Sequence, residues 1–102
     1  MIVIYVPCKD KIEAEKIADV LIIEQLAVCV NIFHNISSIY RWKKNKEKST
    51  EAVMFIKTKK ELLDKVTKRV EELHSYESPV IFALPVLFYS PKTLKYLNEE
   101  LN

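Results

Sequence analysis

An α+β sandwich is the architecture this sequence predicts, and three observations predict it. Apolar, β-branched runs alternate with amphipathic runs in the order strand, helix, strand, strand, helix, strand. The two amphipathic runs suit one face of an antiparallel sheet, the arrangement that buries a helix stripe against strands. The chain has 102 residues, 49% hydrophobic and 29% charged, which suits a single domain, 1–102, around one core.

Residues 2–8, IVIYVPC, form a short apolar first strand with Pro7 at its end. Asp10 followed three residues later by Glu13 makes a capping-box pattern, and Ile12, Ala14, Ile17, Ala18, Leu21, Ile22 and Gln25 keep helical spacing, so a helix is expected over about 11–26. From Val28 to Trp42, VCVNIFHNISSIYRW, the β-branched pattern returns over ~15 residues, well beyond the usual ~5–6 of a strand. Such a strand must bend, bulge or outreach its own sheet. The charged tip KKNKEK turns the chain, with Asn45 expected to take positive φ in a sequence that contains no glycine. STEAVMFIK, residues 49–57, returns as the hairpin partner.

Thr58 with Glu61 gives a second capping-box pattern, and Leu62, Leu63, Val66, Val70 and Leu73 line a second helix through about residue 74. Ser78-Pro79 breaks it, VIFALPVLF reads as the fourth strand, and Ser90-Pro91 opens a short last helix with proline at its first position. The order β-α-β-β-α-β plus a terminal helix is the split β-α-β pattern of ferredoxin-like folds. The overlong second strand would leave unpaired backbone groups at an edge, which calls for a partner.

Composition removes several function classes. The absence of glycine excludes glycine-rich phosphate loops, nucleophile elbows and dinucleotide fingerprints together. Two cysteines and no secretory pattern argue against a disulfide framework, and a net charge of +2 is too small to argue for a nucleic-acid partner. No apolar run reaches the ~20 residues of a membrane span, and MIVIYVPCKD lacks a basic leader, so a cytoplasmic chain with no membrane association is expected.

Five blocks, AVCVNI (27–32), SIYRW (38–42), MFIKT (54–58), HSYESPVI (74–81) and ALPV (83–86), stand in an order and spacing that resemble the CutA divalent-cation tolerance family. The resemblance covers nearly the whole chain and includes the terminal YLNEEL. It implies a ferredoxin-like subunit in a compact homotrimer, with hairpins pairing across subunit boundaries, and a role in the response to metal ions, chiefly copper. This chain departs from the copper-binding pattern. Val6 and Leu73 stand where relatives described as copper binders carry a cysteine and a histidine, and only His74 carries over.

Copper favours thiolate, thioether or imidazole donors, and only two cysteines, two histidines and two methionines are present. The expected topology sets Cys8 at the top of its strand and Cys29 at the bottom of another, too far apart for a disulfide. Cys29 then reads as a small buried apolar strand residue and His34 as a polar one, leaving Cys8 and His74 as the one donor pair. Copper or another divalent ion is therefore an expected weak ligand, and no cofactor is required. Tyr40, Arg41 and Trp42 combine large area with a planar donor, the make-up of a subunit interface. The cluster Arg41, Lys43, Lys44, Lys46 and Lys48 reads as a solvated tip.

His74, Tyr76 and Glu77 fall at a helix-to-strand junction where an inter-subunit cleft could form, and no nucleophile there has an activating partner. The expected function is a non-enzymatic homotrimer of metal tolerance. The alternatives are a PII-like trimeric sensor that holds a small molecule or anion between subunits, and an acylphosphatase-like enzyme, which lacks its phosphate loop.

Overall fold

The computed structural model describes residues 1–101. Four strands, β1 (Ile2–Cys8), β2 (Cys29–Trp42), β3 (Asn45–Thr58) and β4 (Phe82–Pro85), form one sheet in the order β2-β3-β1-β4 with every neighbouring pair antiparallel. Three helices, α1 (Lys11–Ile23), α2 (Leu63–Leu73) and α3 (Pro91–Glu100), complete the α+β fold. The element order expected from the sequence is thus the observed one.

The period of two along β1 decides which face is covered. Ile2, Ile4, Val6 and Cys8 are buried, alternating with half-exposed neighbours, and they pack with Ala52, Met54 and Ile56 of β3. Ala14, Ile17, Ala18 and Leu21 of α1 and Val66 and Val70 of α2 close this core from one side. The other face carries a row of aromatic rings running across all four strands. Phe33 meets Phe55 edge-on at 5.1 Å, Phe55 lies 5.9 Å from Tyr5, and Tyr5 stacks on Phe82 at 4.7 Å between centroids. Phe33 and Phe82 are about half exposed there, at 50% and 46%.

The long second strand both bulges and outreaches. Its pairing with β3 slips between Phe33 and Ile36, where Asn35 takes φ 58°, and the ladder then continues to Trp42 opposite Asn45. Because β1 pairs only with Ala52–Thr58 of β3, the outer half of the hairpin is a two-stranded arm. Fourteen residues at ~3.3 Å each give ~46 Å, and the molecule is 45 Å along its longest axis.

Several boundaries differ from the sequence expectations. The turn is a two-residue one in which Lys43 and Lys44, at φ 49° and 68°, take the left-handed conformation, while Asn45 already belongs to β3. Helix α1 stops at Ile23 in a Schellman closure: the Gln25 N–H donates to the Ile22 carbonyl and the Leu26 N–H to that of Leu21, with Gln25 at φ 57°. Thr58 does not cap the second helix. It ends β3 and donates its hydroxyl to the Leu26 carbonyl at 2.7 Å, so a 3-10 turn, Lys60–Leu62, leads into α2 without a side-chain cap. The fourth strand keeps only four of the nine residues in VIFALPVLF. Ser90 caps α3 as its sequence predicts, its Oγ accepting the Thr93 N–H at 3.2 Å.

Candidate functional site

Strand β4 pairs with β1 only as far as Tyr5, so Pro7 lies beyond its reach. There the carbonyl of Pro7 accepts a hydrogen bond from His74 Nε2 at 2.7 Å. His74 terminates α2, its extended backbone leaving the helix, and its Nδ1 in turn accepts the Tyr76 N–H at 3.1 Å. These two bonds assign the neutral tautomer with hydrogen on Nε2. Glu13 completes the junction. Asp10 caps α1 through its carboxylate, which accepts the Glu13 N–H at 2.8 Å, while the Glu13 side chain turns back to accept the N–H groups of Lys9 at 3.1 Å and Ser75 at 3.0 Å.

A carboxylate oxygen of Glu13 lies 3.9 Å from His74 Nδ1, and the His74 side chain is fully buried. The Cys8 thiol joins them: one ligand atom from each of Cys8, Glu13 and His74 falls within 4.8 Å of the others. Burial would raise the Glu13 carboxyl, but the hydrogen bonds from Ser75 and the Lys9 N–H hold it below its ordinary value. Burial, reinforced by the Glu13 carboxylate, pushes the Cys8 thiol up to about 12, which keeps it protonated near neutrality.

A concave surface of about 650 Å³ adjoins this junction. One wall is the arm, with Tyr40, Arg41 and Trp42, and the other is the loop after α2, with Ser75, Tyr76 and Glu77. Tyr76 bridges the walls by donating its hydroxyl to the Glu51 carboxylate of β3 at 2.7 Å. Burial first, and then that bond to a carboxylate, push the Tyr76 phenol up from its ordinary value.

The structure therefore brings Cys8 and His74 together and draws Tyr40, Arg41, Trp42, Tyr76 and Glu77 into one cleft. Cys29 is half-buried, its thiol 3.9 Å from the Asn31 side chain, rather than a core residue, and His34 is exposed on β2; neither joins the donor cluster. Two participants escaped the sequence. Glu13 was visible only as a capping residue, and nothing in the pattern marked Glu51 as the partner of Tyr76.

A family model described as CutA1 divalent ion tolerance protein matches residues 2–100. The chain is 36% identical over 96 residues to the protein called "Protein CutA, chloroplastic" from Arabidopsis thaliana, an alignment covering 94% of this chain and 53% of that one. It is 36% identical over 99 residues to the divalent-cation tolerance protein CutA of Thermus thermophilus, covering 97% and 94%. The chain spans about half the length of the plant relatives it matches. Among solved structures, the one described as the periplasmic divalent cation tolerance protein CutA from Archaeoglobus fulgidus superposes with a TM-score of 0.95 at 36% identity, with all of both chains covered.

Proposed function

Because the chain belongs to the CutA1 divalent ion tolerance family, we propose that it is a non-enzymatic homotrimer acting in the response to divalent cations in the cytoplasm. Among the described residues no helix is long and apolar enough to cross a membrane, which is compatible with that location. Relatives are described as periplasmic and chloroplastic, so localisation of the tagged chain is its own test.

One observation carries the trimer: the face of the sheet opposite the helices is left to solvent although it holds the Phe33, Phe55, Tyr5 and Phe82 row. The arm adds Ile39, Tyr40 and Trp42 at 67%, 43% and 42% exposure. Contiguous apolar surface of this kind marks an interface. A two-stranded ribbon alone is marginally stable, and pairing with neighbouring chains would satisfy its outer backbone groups. Tyr40, Arg41 and Trp42 are the proposed interface anchors. The mass of the protein in solution tests this directly.

Cys8, Glu13 and His74 are the proposed holders of copper or another divalent ion, and their chemistry supports weak binding. Thiol, carboxylate and imidazole converge, but the His74 nitrogens and both Glu13 oxygens already have partners and the thiol holds its proton. A bound ion would supply positive charge and hold the thiolate, in competition with the hydrogen bonds that fix the loop. Titration of the metal-free protein with copper, followed by bound-metal analysis, should give weak binding that Cys8→Ser and His74→Gln together remove. Unchanged binding in that double variant would exclude these ligands.

The cleft favours a second reading, a PII-like small-molecule sensor. A concavity walled by Trp42, Tyr76 and Arg41 has the size and make-up of ligand sites. A thermal-shift screen of anions and metabolites tests it, since any ligand that prefers the folded state raises the melting temperature. Silence across the screen would remove this reading.

A further inference from the structure

The cleft reading leaves the class of ligand open, and the charges on its walls narrow it. Among the described residues Arg41 has no carboxylate within ion-pair distance, and Glu77 has no cation. Glu51, the third charged group on the walls, already accepts the Tyr76 hydroxyl. On the walls that this chain supplies, the two carboxylates face Arg41, with the Lys43 ammonium 5.7 Å from the Trp42 ring, so charges of both signs are present and a polyanion such as a nucleotide would meet repulsion from both acids. A simple anion satisfies Arg41 and leaves Glu77 facing its charge; a simple cation does the reverse.

We propose that the cleft binds a small zwitterion, its carboxylate on the Arg41 guanidinium and its ammonium on the Glu77 carboxylate, with a flat apolar body against Trp42 and Tyr76. This rests on the cleft reading above and gives it a ligand class. Guanidinium and carboxylate form a matched fork of parallel hydrogen bonds, and aromatic faces favour both apolar contact and the neighbouring ammonium. The volume of about 650 Å³ accommodates an amino-acid-sized molecule with room to spare.

The wall is also built in a way that a chance depression is not. Pro7, Ser75 and Tyr76 all line the cleft, and the backbone of each is held from behind by a buried polar side chain: Pro7 and Tyr76 by His74, Ser75 by Glu13. Glu13 and His74 are only 8% and 9% exposed, so these bonds are shielded from water. The Tyr76 ring is fixed on both sides, by the Glu51 carboxylate and by the His74 ring at 4.7 Å. A wall whose backbone and ring are both held presents its functional groups at a set geometry, which is what recognition of two opposite charges requires.

Trp42 is the only tryptophan in the chain and lies in the cleft, so its fluorescence reads occupancy. The 102-residue chain is titrated with L-phenylalanine as probe, then with 3-phenylpropionate, which lacks the ammonium, 2-phenylethylamine, which lacks the carboxylate, and inorganic triphosphate. Phenylalanine should give a saturable change at millimolar concentration, with each truncated analogue at least about tenfold weaker, the loss expected when one charge is left without its partner. Arg41→Gln and, separately, Glu77→Gln should each weaken phenylalanine to the level of the matching analogue. Glu77 is exposed and makes no side-chain hydrogen bond or ion pair among the described residues, so its variant keeps the test clear of folding effects. No response to phenylalanine, equal affinity for the analogues, or tighter binding of triphosphate would overturn the proposal. The mass of the same samples separates the failures. A trimer indifferent to phenylalanine overturns the zwitterion and leaves the assembly standing, whereas a monomer that binds it overturns the assembly alone.

Discussion

Glu13 is the residue on which most local structure turns. Its two oxygens accept N–H groups from residues on either side of the junction, Lys9 before α1 and Ser75 after α2. Glutamine at this position would point an amide N–H at one of those donors, leaving a shielded polar group without a partner. Glu13→Gln should therefore cost about 1–3 kcal/mol in urea unfolding. The pH dependence has a definite sign. The folded-state carboxyl sits below its ordinary value, so its contribution is fully present above the unfolded carboxylate range and is lost as pH falls through the lower, folded value. Wild-type protein should lose stability on that acid limb and the glutamine variant should lose less; parallel acid limbs would show that Glu13 carries no such linkage. Cys8 offers a second check. With its thiol pushed up to about 12 and no exposed surface, it should resist alkylation in the native protein and react once urea exposes it, as peptide mapping of the labelled residue would report. Rapid native labelling of Cys8 would contradict this environment.

At the scale of elements, a chain without glycine has had to put other residues into left-handed backbone. Gln25, Asn35, Lys43 and Lys44 all take positive φ, at the end of α1, at the β2 bulge and at the hairpin turn. The Gln25 site closes a Schellman motif that glycine fits with less strain, so Gln25→Gly should raise stability by about 1 kcal/mol, seen as a higher urea midpoint at unchanged slope. A lower midpoint would mean that the Gln25 side chain contributes more than its backbone costs. These same places mark where the sequence was legible and where it was not. Periodicity located the four strands and the first two helices, because a stripe of Ile17, Leu21 or Val66, Val70 can be buried in only one way, and the Ser90-Pro91 start signal located the third. Turn chemistry misled, because the rule that favours Asn45 for positive φ is a preference, and the pairing of Trp42 with Asn45 outweighed it. Thr58 and Glu61 matched a helix-start pattern, yet the Thr58 hydroxyl was taken by the Leu26 carbonyl, 32 residues away in sequence. The donor pair Cys8 and His74 followed from the few donors present and the expected topology, whereas Glu13 and Glu51 enter through side-chain directions that no local pattern encodes.

For the whole molecule the question is what covers the uncovered half of the sheet. Helices bury the Ile4, Val6 and Met54 face, while among the described residues no element covers the Phe33 and Phe82 face, and Ile39, Tyr40 and Trp42 of the arm stay exposed. If sister chains supply it, a charge placed on that face should break the assembly and leave the subunit's own core intact. Phe33→Glu should give a folded protein of lower mass, with helical circular dichroism retained; a variant that stays assembled would show that this face is not the interface. Assembly also bears on the cleft, since Arg41 and Trp42 project from the same arm whose outer strands need partners.

In the proposed assembly, three copies of this chain bury that aromatic face and the arm between them. Sedimentation equilibrium or native mass spectrometry of the purified protein at micromolar concentration tests it most directly. A single species of about 36 kDa, three chains of 12.0 kDa each, is expected. A stable species of 12.0 kDa, with Trp42 emission at the wavelength of a water-exposed indole, would contradict it.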